Sequence, residues 1–430
     1  LELSCITGEV FIFSPVYSEL QEDYLALEYF TGTTFITKFL FYVAAAIAFI
    51  DFAATLFTII YQRYIYKKFL RPHYGEYTPT CSVLLPCKGI PKDLENNLGA
   101  FLELDYPNYE IVFVTESETD PAVPYIKGVI EGHKNAKHIV AGHATNCAQK
   151  NHNVLAAYNS IASSTDVLVF ADSDIKPAKY WLQELILPLS DPKVTVTSGF
   201  RWLYSSKGNV GEMTHSYVNI FMYVLFNFSC YFGGVGLWGG SMAIRKKDFE
   251  ELSVPERWGR AAVDDISLSQ IVLKNRKKAV VVPHCVTHSD DLIQTVKGTV
   301  TWFQRQMMYF KYYLRPLWVI VFPLEIMIMV YLLLLPGAGV LSLSDRWTFF
   351  GLGGGAALVF YLGELMTILM YPMLGEMPKF YKFVFFSPFI RLTHVISYLM
   401  TFPTNTITWS GIKYYITFRG DVSKVERLHG

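Results

Sequence analysis

Val167-Leu168-Val169-Phe170-Ala171-Asp172-Ser173-Asp174 reads as an apolar strand that empties into two carboxylates one residue apart. Strands covered by helices on both faces are near-continuous apolar runs. Ligands of such sheets sit just outside the carboxyl ends of the strands. A carboxylate pair there suits a hard divalent cation, Mg2+ or Mn2+, which takes oxygen ligands, keeps several waters and shares itself with substrate phosphates. A plainer alternative is helix capping, with Asp174 starting a helix over 178–187. On these residues alone the two readings stand level.

Outward from this strand the α/β character continues. Short β-branched runs at 81–86, 110–115, 167–170, 194–200, 241–245 and 280–283 alternate with helical stretches between 80 and 315. That alternation predicts one sheet with helices on both faces. Beyond these limits the chain turns apolar. Of its 430 residues, 52% are hydrophobic and only 17% charged, against about a quarter charged in soluble proteins.

Runs at 39–61, 316–335 and 349–370 are each long enough to cross a bilayer, which takes about 20 residues. Arg63, Lys67, Lys68 and Arg71 follow the first run and mark its cytosolic end. Glu325 and Glu364 lie inside the later runs, where acids face the protein interior or a cavity. Residues 380–402 are interrupted by Lys382, Arg391 and His394, which predicts an amphipathic helix lying on the membrane. Three crossings then leave Lys379, Lys382, Lys413, Arg419, Lys424 and Arg427 in the cytosol.

The expected organisation is an extracytoplasmic segment 1–35, a transmembrane helix 36–62, an α/β domain 80–315, two transmembrane helices in 316–371, an interfacial helix 380–402 and a cytosolic tail 403–430. Residues 1–35 have no basic n-region and no small-residue cleavage site, so no signal peptide is expected. Lys+Arg 37 balances Asp+Glu 37, and no basic stripe is present, which argues against a nucleic-acid partner. Six cysteines without C-x-x-C spacing favour a reduced, cytosol-facing compartment. His284 and His288 have the four-residue spacing of a helical zinc pair, but Pro283 predicts a loop there.

Four further stretches carry chemistry. Ser82-Val83-Leu84-Leu85-Pro86-Cys87-Lys88-Gly89 is a buried strand whose end faces a nucleobase or simply turns. Val112-Phe113-Val114-Thr115-Glu116-Ser117-Glu118-Thr119-Asp120 runs into acids that accept from a base or ribose, or form a solvated turn. Lys150-Asn151-His152-Asn153 opens a helix; its cation suits a diphosphate, although surface lysines are common. Ala262-Val263-Asp264-Asp265-Ile266 opens another, where acids are either dipole partners or a general base.

In this order, with Gly239-Gly240-Ser241 between the acids and Gln304-Arg305-Gln306 after them, the motifs resemble the inverting GT-A glycosyltransferases of family 2. They look most like the membrane-bound ceramide glucosyltransferases and their bacterial lipid-glycosylating relatives. Asp120-Pro121-Ala122, Lys150 and Asn153, Pro316-Leu317-Trp318 and Trp409-Ser410-Gly411-Ile412-Lys413-Tyr414 add to the likeness. It covers roughly 81–318 and, less firmly, the tail.

The resemblance implies a Rossmann-like GT-A domain held to the membrane. Glu116 matches the family's first acid, which contacts the nucleoside, with Glu118 or Asp120 as alternatives. Asp172 and Asp174 match the D-x-D motif that holds the metal and a UDP-sugar. Asp265 matches the catalytic base, with Asp264 beside it. Arg305 matches the start of (Q/R)-x-x-R-W, whose Arg-Trp is here Met308-Tyr309, so Lys311 is the candidate replacement cation. Lys150 and Asn153 join the donor side; Gly240, Ser241, Tyr309 and Trp409 form the acceptor side.

The implied enzyme moves glucose to the hydroxyl of a membrane lipid, ceramide first, in glycolipid synthesis. Diacylglycerol glucosylation and processive polysaccharide synthesis are the alternatives. The implied location is the Golgi or ER membrane in a eukaryote and the inner membrane in a bacterium, with oligomerisation open.

Overall fold

The computed structural model describes the backbone of residues 15–70, 76–205, 208–234, 236–289, 292–342, 354–375 and 382–428, and side chains from residue 38 onward except 333–355. A long helix α1 (Pro15–Ile65) comes first. Part of the expected 1–35 segment is thus helical, and residues 1–14 lie outside the described residues. Then follow β1 (Cys81–Pro86), α2 (Leu94–Leu102), β2 (Tyr109–Thr115), α3 (Val123–Ile130), β3 (Ala136–Val140), α4 (Gln149–Tyr158), β4 (Val167–Ala171), α5 (Trp181–Ile186), β5 (Val194–Leu203), α6 (Val210–Tyr231), β6 (Ser241–Arg245), α7 (Asp265–Lys274), β7 (Lys278–Ser289) and α8 (Val296–Tyr313). The chain ends with α9 (Arg315–Ser342), α10 (Gly354–Ile368), α11 (Lys382–Leu399), β8 (Thr406–Trp409), β9 (Ile412–Ile416) and β10 (Val422–Arg427).

Seven strands form one sheet in the order β3-β2-β1-β4-β6-β5-β7. All run the same way except β6, which is antiparallel to β4 and β5. Side chains alternate across such a sheet with period two. Accordingly Leu84, Val112, Val114, Leu168 and Phe170 enter one core, while Val83, Leu85, Ile111, Phe113, Val167 and Val169 enter another on the opposite face. Each fully buried aliphatic or aromatic side chain contributes about 1.5–3 kcal/mol. The strands therefore read as unbroken apolar runs because both faces are covered.

Because β6 is reversed, its N-terminal end lies beside the C-terminal end of β4, with Ala171 paired to Ser241. Asp172 thereby comes next to Gly239-Gly240, and its backbone N–H donates to Gly240 O at 3.3 Å. Helix α5 starts at Trp181, with Tyr180 as its N-cap. This removes the capping alternative for Asp174.

Three differences from the sequence expectations have physical reasons. The edge strand β3, Ala-Lys-His-Ile-Val, is half-exposed and polar-interrupted, so it shows no apolar run. Strand β7 continues through Pro283 to Ser289, and its register with β5 shifts between Ser198 and Phe200. Proline is accommodated at such bulges. His284 and His288 therefore lie on a strand rather than in a loop, and His284 Nδ1 is 3.0 Å from Glu184 Oε1. Finally, the tail forms an antiparallel sheet, β10-β9-β8. Its first hairpin turns on Ser410 (φ 48°) and Gly411 (φ 75°), the left-handed pair that a two-residue turn requires.

Among the described residues three helices are long and apolar enough to cross a membrane: Lys38–Leu70, Arg315–Leu332 and Ala356–Met373. The chain divides into two compact units, Leu1–Phe49 with Val330–Gly363, and Ile50–Met329 with Glu364–Gly430. In the first unit, a Cβ on Gly363 would lie 2.1 Å from Ala48 Cβ, so glycine is what lets those helices meet. The second unit holds the sheet and all the site residues.

Within the second unit, Arg391 of α11 forms ion pairs with both Asp51 and Glu364. Tyr217 of α6 donates to Glu364 Oε2 at 2.8 Å. Asp51 and Glu364 are thus partnered, as intramembrane acids generally are, while Glu325 Oε2 is buried and accepts no hydrogen bond among the described residues. Arg391→Leu would strand the buried Glu364 carboxylate and the half-buried Asp51 carboxylate. It is expected to cost about 3–5 kcal/mol, read as a lower unfolding temperature in detergent.

Candidate active site

Four carboxylates and two cations meet at the strand ends. Lys150, in the first turn of α4, places Nζ 2.7 Å from Asp172 Oδ1 and 2.9 Å from Asp264 Oδ2. The same ammonium donates to Gly239 O at 3.1 Å. Asp264 sits at the N-cap of α7 without making a capping bond; its carboxylate turns to Lys150 instead. Burial disfavours the charge on Lys150, but Asp172 and Asp264 outweigh that and raise its pKa.

The Gly239-Gly240 segment is what lets the carboxylates approach. A Cβ on Gly239 would lie 2.5 Å from Asp264 Oδ2, and one on Gly240 2.7 Å from Asp172 Oδ2. The Gly239 N–H donates to Asp265 Oδ2 at 2.9 Å, while Asp265 Oδ1 accepts from Ile266 N–H at 2.6 Å. Burial and the neighbouring Asp264 push the Asp265 carboxyl up to about 7, against the opposing pull of Lys150 and these two N–H groups. A carboxylate with that pKa suits proton transfer near neutrality.

Asp174 Oδ2 lies 2.6 Å from Arg201 Nη1. Arg201 is a lone charge near the end of the otherwise buried strand β5, and that was the signal in the sequence for a further site residue. Burial raises the pKa of Asp172, with Asp174 and Asp264 adding to the effect and Lys150 opposing it. The cluster thus sets four carboxyl groups against two cations, Lys150 and Arg201.

A divalent ion fits this cluster. Asp174 Oδ1 is buried and accepts no hydrogen bond among the described residues, leaving it as a donor atom for a cation. No group of three or more His, Cys, Asp or Glu side chains forms a metal cage among the described residues. The remaining ligand positions would fall to water and phosphate oxygens, as Mg2+ prefers. Asp174→Asn is expected to weaken Mn2+ binding at least about tenfold, read by the loss of the bound-ion signal in electron paramagnetic resonance.

The three acids after β2 have different surroundings. Glu116 is buried and paired with Lys88, His143 and Arg427. Glu118 is solvated, 3.6 Å from Lys127. Asp120 Oδ1 accepts from the Gly89 and Ala122 N–H groups and so shapes the turn. Of the three, only Glu116 is buried.

Several expected site residues are otherwise employed. Asn153 accepts from Gln149 Nε2 at 2.8 Å. Ser241 is fully buried, and its hydroxyl accepts from the Trp181 indole at 3.0 Å. Lys311, read as the replacement cation, instead donates to Thr401 O at 2.6 Å and Thr404 O at 2.9 Å beyond the end of α11. Tyr309 is buried on α8, with Arg305 half-buried one turn earlier and Met308 buried beside it. Arg305 makes no ion pair among the described residues. Together with burial and Arg201 it depresses His215 to about 3, so this imidazole stays neutral. Trp409 is half-buried on β8.

Paired acids and a lysine thus lie at the open end of a mostly parallel sheet, where the ligands of such sheets sit. The chain belongs to glycosyl transferase family 21, whose profile matches residues 47–422. It is a glycosyltransferase, and its domain is built on the mostly parallel α/β sheet that the strand–helix alternation implied. The motifs suggested family 2, most like its ceramide glucosyltransferases; the profile that matches is that of family 21, and the likeness to a ceramide glucosyltransferase holds.

Ceramide glucosyltransferase 1 of Caenorhabditis elegans is 21% identical over 384 residues, which cover 86% of this chain and 79% of that protein. Among solved structures, the mannosyltransferase PcManGT from Pyrobaculum calidifontis, in complex with GDP-Man and Mn2+, aligns at a TM-score of 0.48 and 16% identity over 84% of this chain and 98% of that one. Glucosyl-3-phosphoglycerate synthase from Mycobacterium tuberculosis, in complex with Mn2+, UDP and phosphoglyceric acid, aligns at 0.32 and 16% identity over 47% of this chain and 68% of that one.

Proposed function

We propose that this glycosyltransferase moves a sugar, glucose first, from a UDP-sugar to the primary hydroxyl of a membrane lipid with inversion at C1. The supporting observation is Lys150, whose ammonium ion-pairs with both Asp172 and Asp264. One cation thus holds the donor carboxylate and the base-bearing acid pair together. Family membership and the ceramide glucosyltransferase relative support the lipid acceptor.

Asp172 and Asp174 would hold Mn2+ or Mg2+ against the diphosphate. When bound, the ion supplies Lewis-acid stabilisation of the charge that develops on the leaving group. Lys150 and Arg201 add positive charge at the same end. Glu116 accepts hydrogen bonds from the nucleoside.

Asp265 removes the proton from the lipid hydroxyl as that oxygen bonds to C1 and the C1–O bond to UDP breaks. The proton ends on the Asp265 carboxyl and the bonding pair leaves with UDP. Its fixed hydrogen bonds to Gly239 and Ile266 orient the carboxylate before substrate arrives. Tyr309, Gly240 and Trp409 are the acceptor-side candidates, with Tyr309 close enough to Asp265 to feel its charge.

The three helices of spanning length support an acceptor lipid drawn from the bilayer. We take the sheet to face the cytosol, as the positive-inside rule favours, with helix α11 at the membrane interface. Ceramide is the first acceptor and diacylglycerol the second. Purified protein with UDP-glucose and a panel of lipids tests this: a glucosylated lipid is expected, and transfer only to water-soluble sugars would contradict it. Product size distinguishes a single transfer from polymer synthesis.

A further inference from the structure

The C-terminal sheet reaches the end of the site where the nucleoside is placed. Arg427 on β10 donates through Nη1 to Glu116 Oε1 and through Nη2 to Gln149 Oε1 at 2.8 Å. Gln149 opens α4 and immediately precedes Lys150. Its backbone N–H donates to Tyr414 Oη of β9 at 3.2 Å. Lys88, just past β1, donates to Ser410 O in the β8–β9 turn at 3.1 Å. The family match ends at residue 422, so Arg427 lies beyond the span that defines the family.

These contacts leave Glu116 asymmetric. Its Oε1 also lies 2.7 Å from His143 Nδ1, so that oxygen is occupied from two sides. Among the described residues its Oε2 has only Lys88, at 3.5 Å. An ionised carboxylate has about four acceptor sites, and those left open belong mainly to Oε2. A bidentate guanidinium adds geometric specificity as well as attraction. Here it spans Glu116 and Gln149, tying the nucleoside acid to the helix that carries Lys150.

We propose that Arg427 is a positioning residue of the donor site. It holds Glu116 with Oε2 presented to the N–H or O–H groups of a nucleoside, which makes the C-terminal sheet a working part of donor binding. The inference rests on the reading of Glu116 as the nucleoside contact.

The test uses the full chain in detergent, titrated with UDP by calorimetry and assayed at saturating lipid with donor varied. Arg427→Ala is expected to weaken UDP binding and raise the donor KM about tenfold or more, the scale of a charge-assisted hydrogen bond, with kcat changed by no more than about twofold. Arg427→Lys, which keeps the charge but cannot span both partners, is expected to fall between. Adding Glu116→Gln to Arg427→Ala is expected to cost little more, because the two act as one unit.

Unchanged UDP affinity in folded Arg427→Ala would overturn the proposal. So would tighter binding, which would make Arg427 a competitor of the nucleoside. If Arg427→Ala does not fold, wild-type affinity in Arg427→Lys overturns it instead. A wild-type chain that binds no UDP would refute the donor assignment itself, and this inference with it.

Discussion

Asp265→Asn is expected to fold, bind UDP with near wild-type affinity and lose transfer by about 100- to 10,000-fold, the range of a general base. The replacement keeps one oxygen for the Gly239 or Ile266 N–H groups that hold the present carboxylate. It removes only the ability to take a proton. The pH dependence supplies an independent check. Burial and Asp264 raise the Asp265 carboxyl to about 7, so the base is protonated below that pH. Wild-type kcat/KM is therefore expected to fall about tenfold per pH unit below about 7. The residual activity of Asp265→Asn should lack this acidic limb. Wild-type turnover in the purified variant would remove Asp265 from the mechanism.

Lys150→Met is expected to damage both stability and transfer. The lysine is the shared partner of Asp172 and Asp264, and its loss leaves the acid cluster with much of its charge uncompensated. Breaking such a buried pair costs about 3–5 kcal/mol. The sign of the pH effect follows from the directions of the shifts. Asp172 and Asp265 already have raised pKa values, and Lys150 is one of the groups pulling both down. Removing it raises them further. Groups whose folded pKa lies above the unfolded value add stability at low pH and lose it as pH rises through the folded pKa. The deficit of Lys150→Met relative to wild type should thus be larger at pH 8 than at pH 5, read by thermal unfolding. Transfer at pH 7 should fall for a second reason, because more of Asp265 is then protonated. A deficit that grows on acidification would contradict the assignment of the Lys150 environment.

Legibility in the sequence followed burial. Strands such as β1 and β4 are covered on both faces, and their composition announced them. Asp172 stands directly after strand β4 and Asp265 at the start of helix α7, so topology brought them to one edge. Three features resisted reading. Strand β3 is an edge with exposed polar positions. Pro283 reads as a break but sits at a bulge within β7. The tail hairpin announces itself only through Ser410-Gly411, a weak turn signal.

Side-chain partners were less legible still. Arg201 was visible only as an isolated charge in an apolar strand. Arg427 and Glu116 lie 311 positions apart in sequence, and no local pattern joins them. Lys311 misled because spacing from Arg305 placed it near the expected Arg-Trp motif, while the carbonyls beyond α11 claim its ammonium.

The central claim is lipid glycosylation from a UDP-sugar, and the product itself tests it most directly. Membranes expressing this chain, and matched membranes expressing Asp265→Asn, would be given isotope-labelled UDP-glucose with Mn2+, and their lipids analysed by mass spectrometry. The expected result is a ceramide or diacylglycerol heavier by one labelled hexose, present with the wild type and absent with the variant. Label found only in polymer or water-soluble products, or equally in both samples, would contradict it.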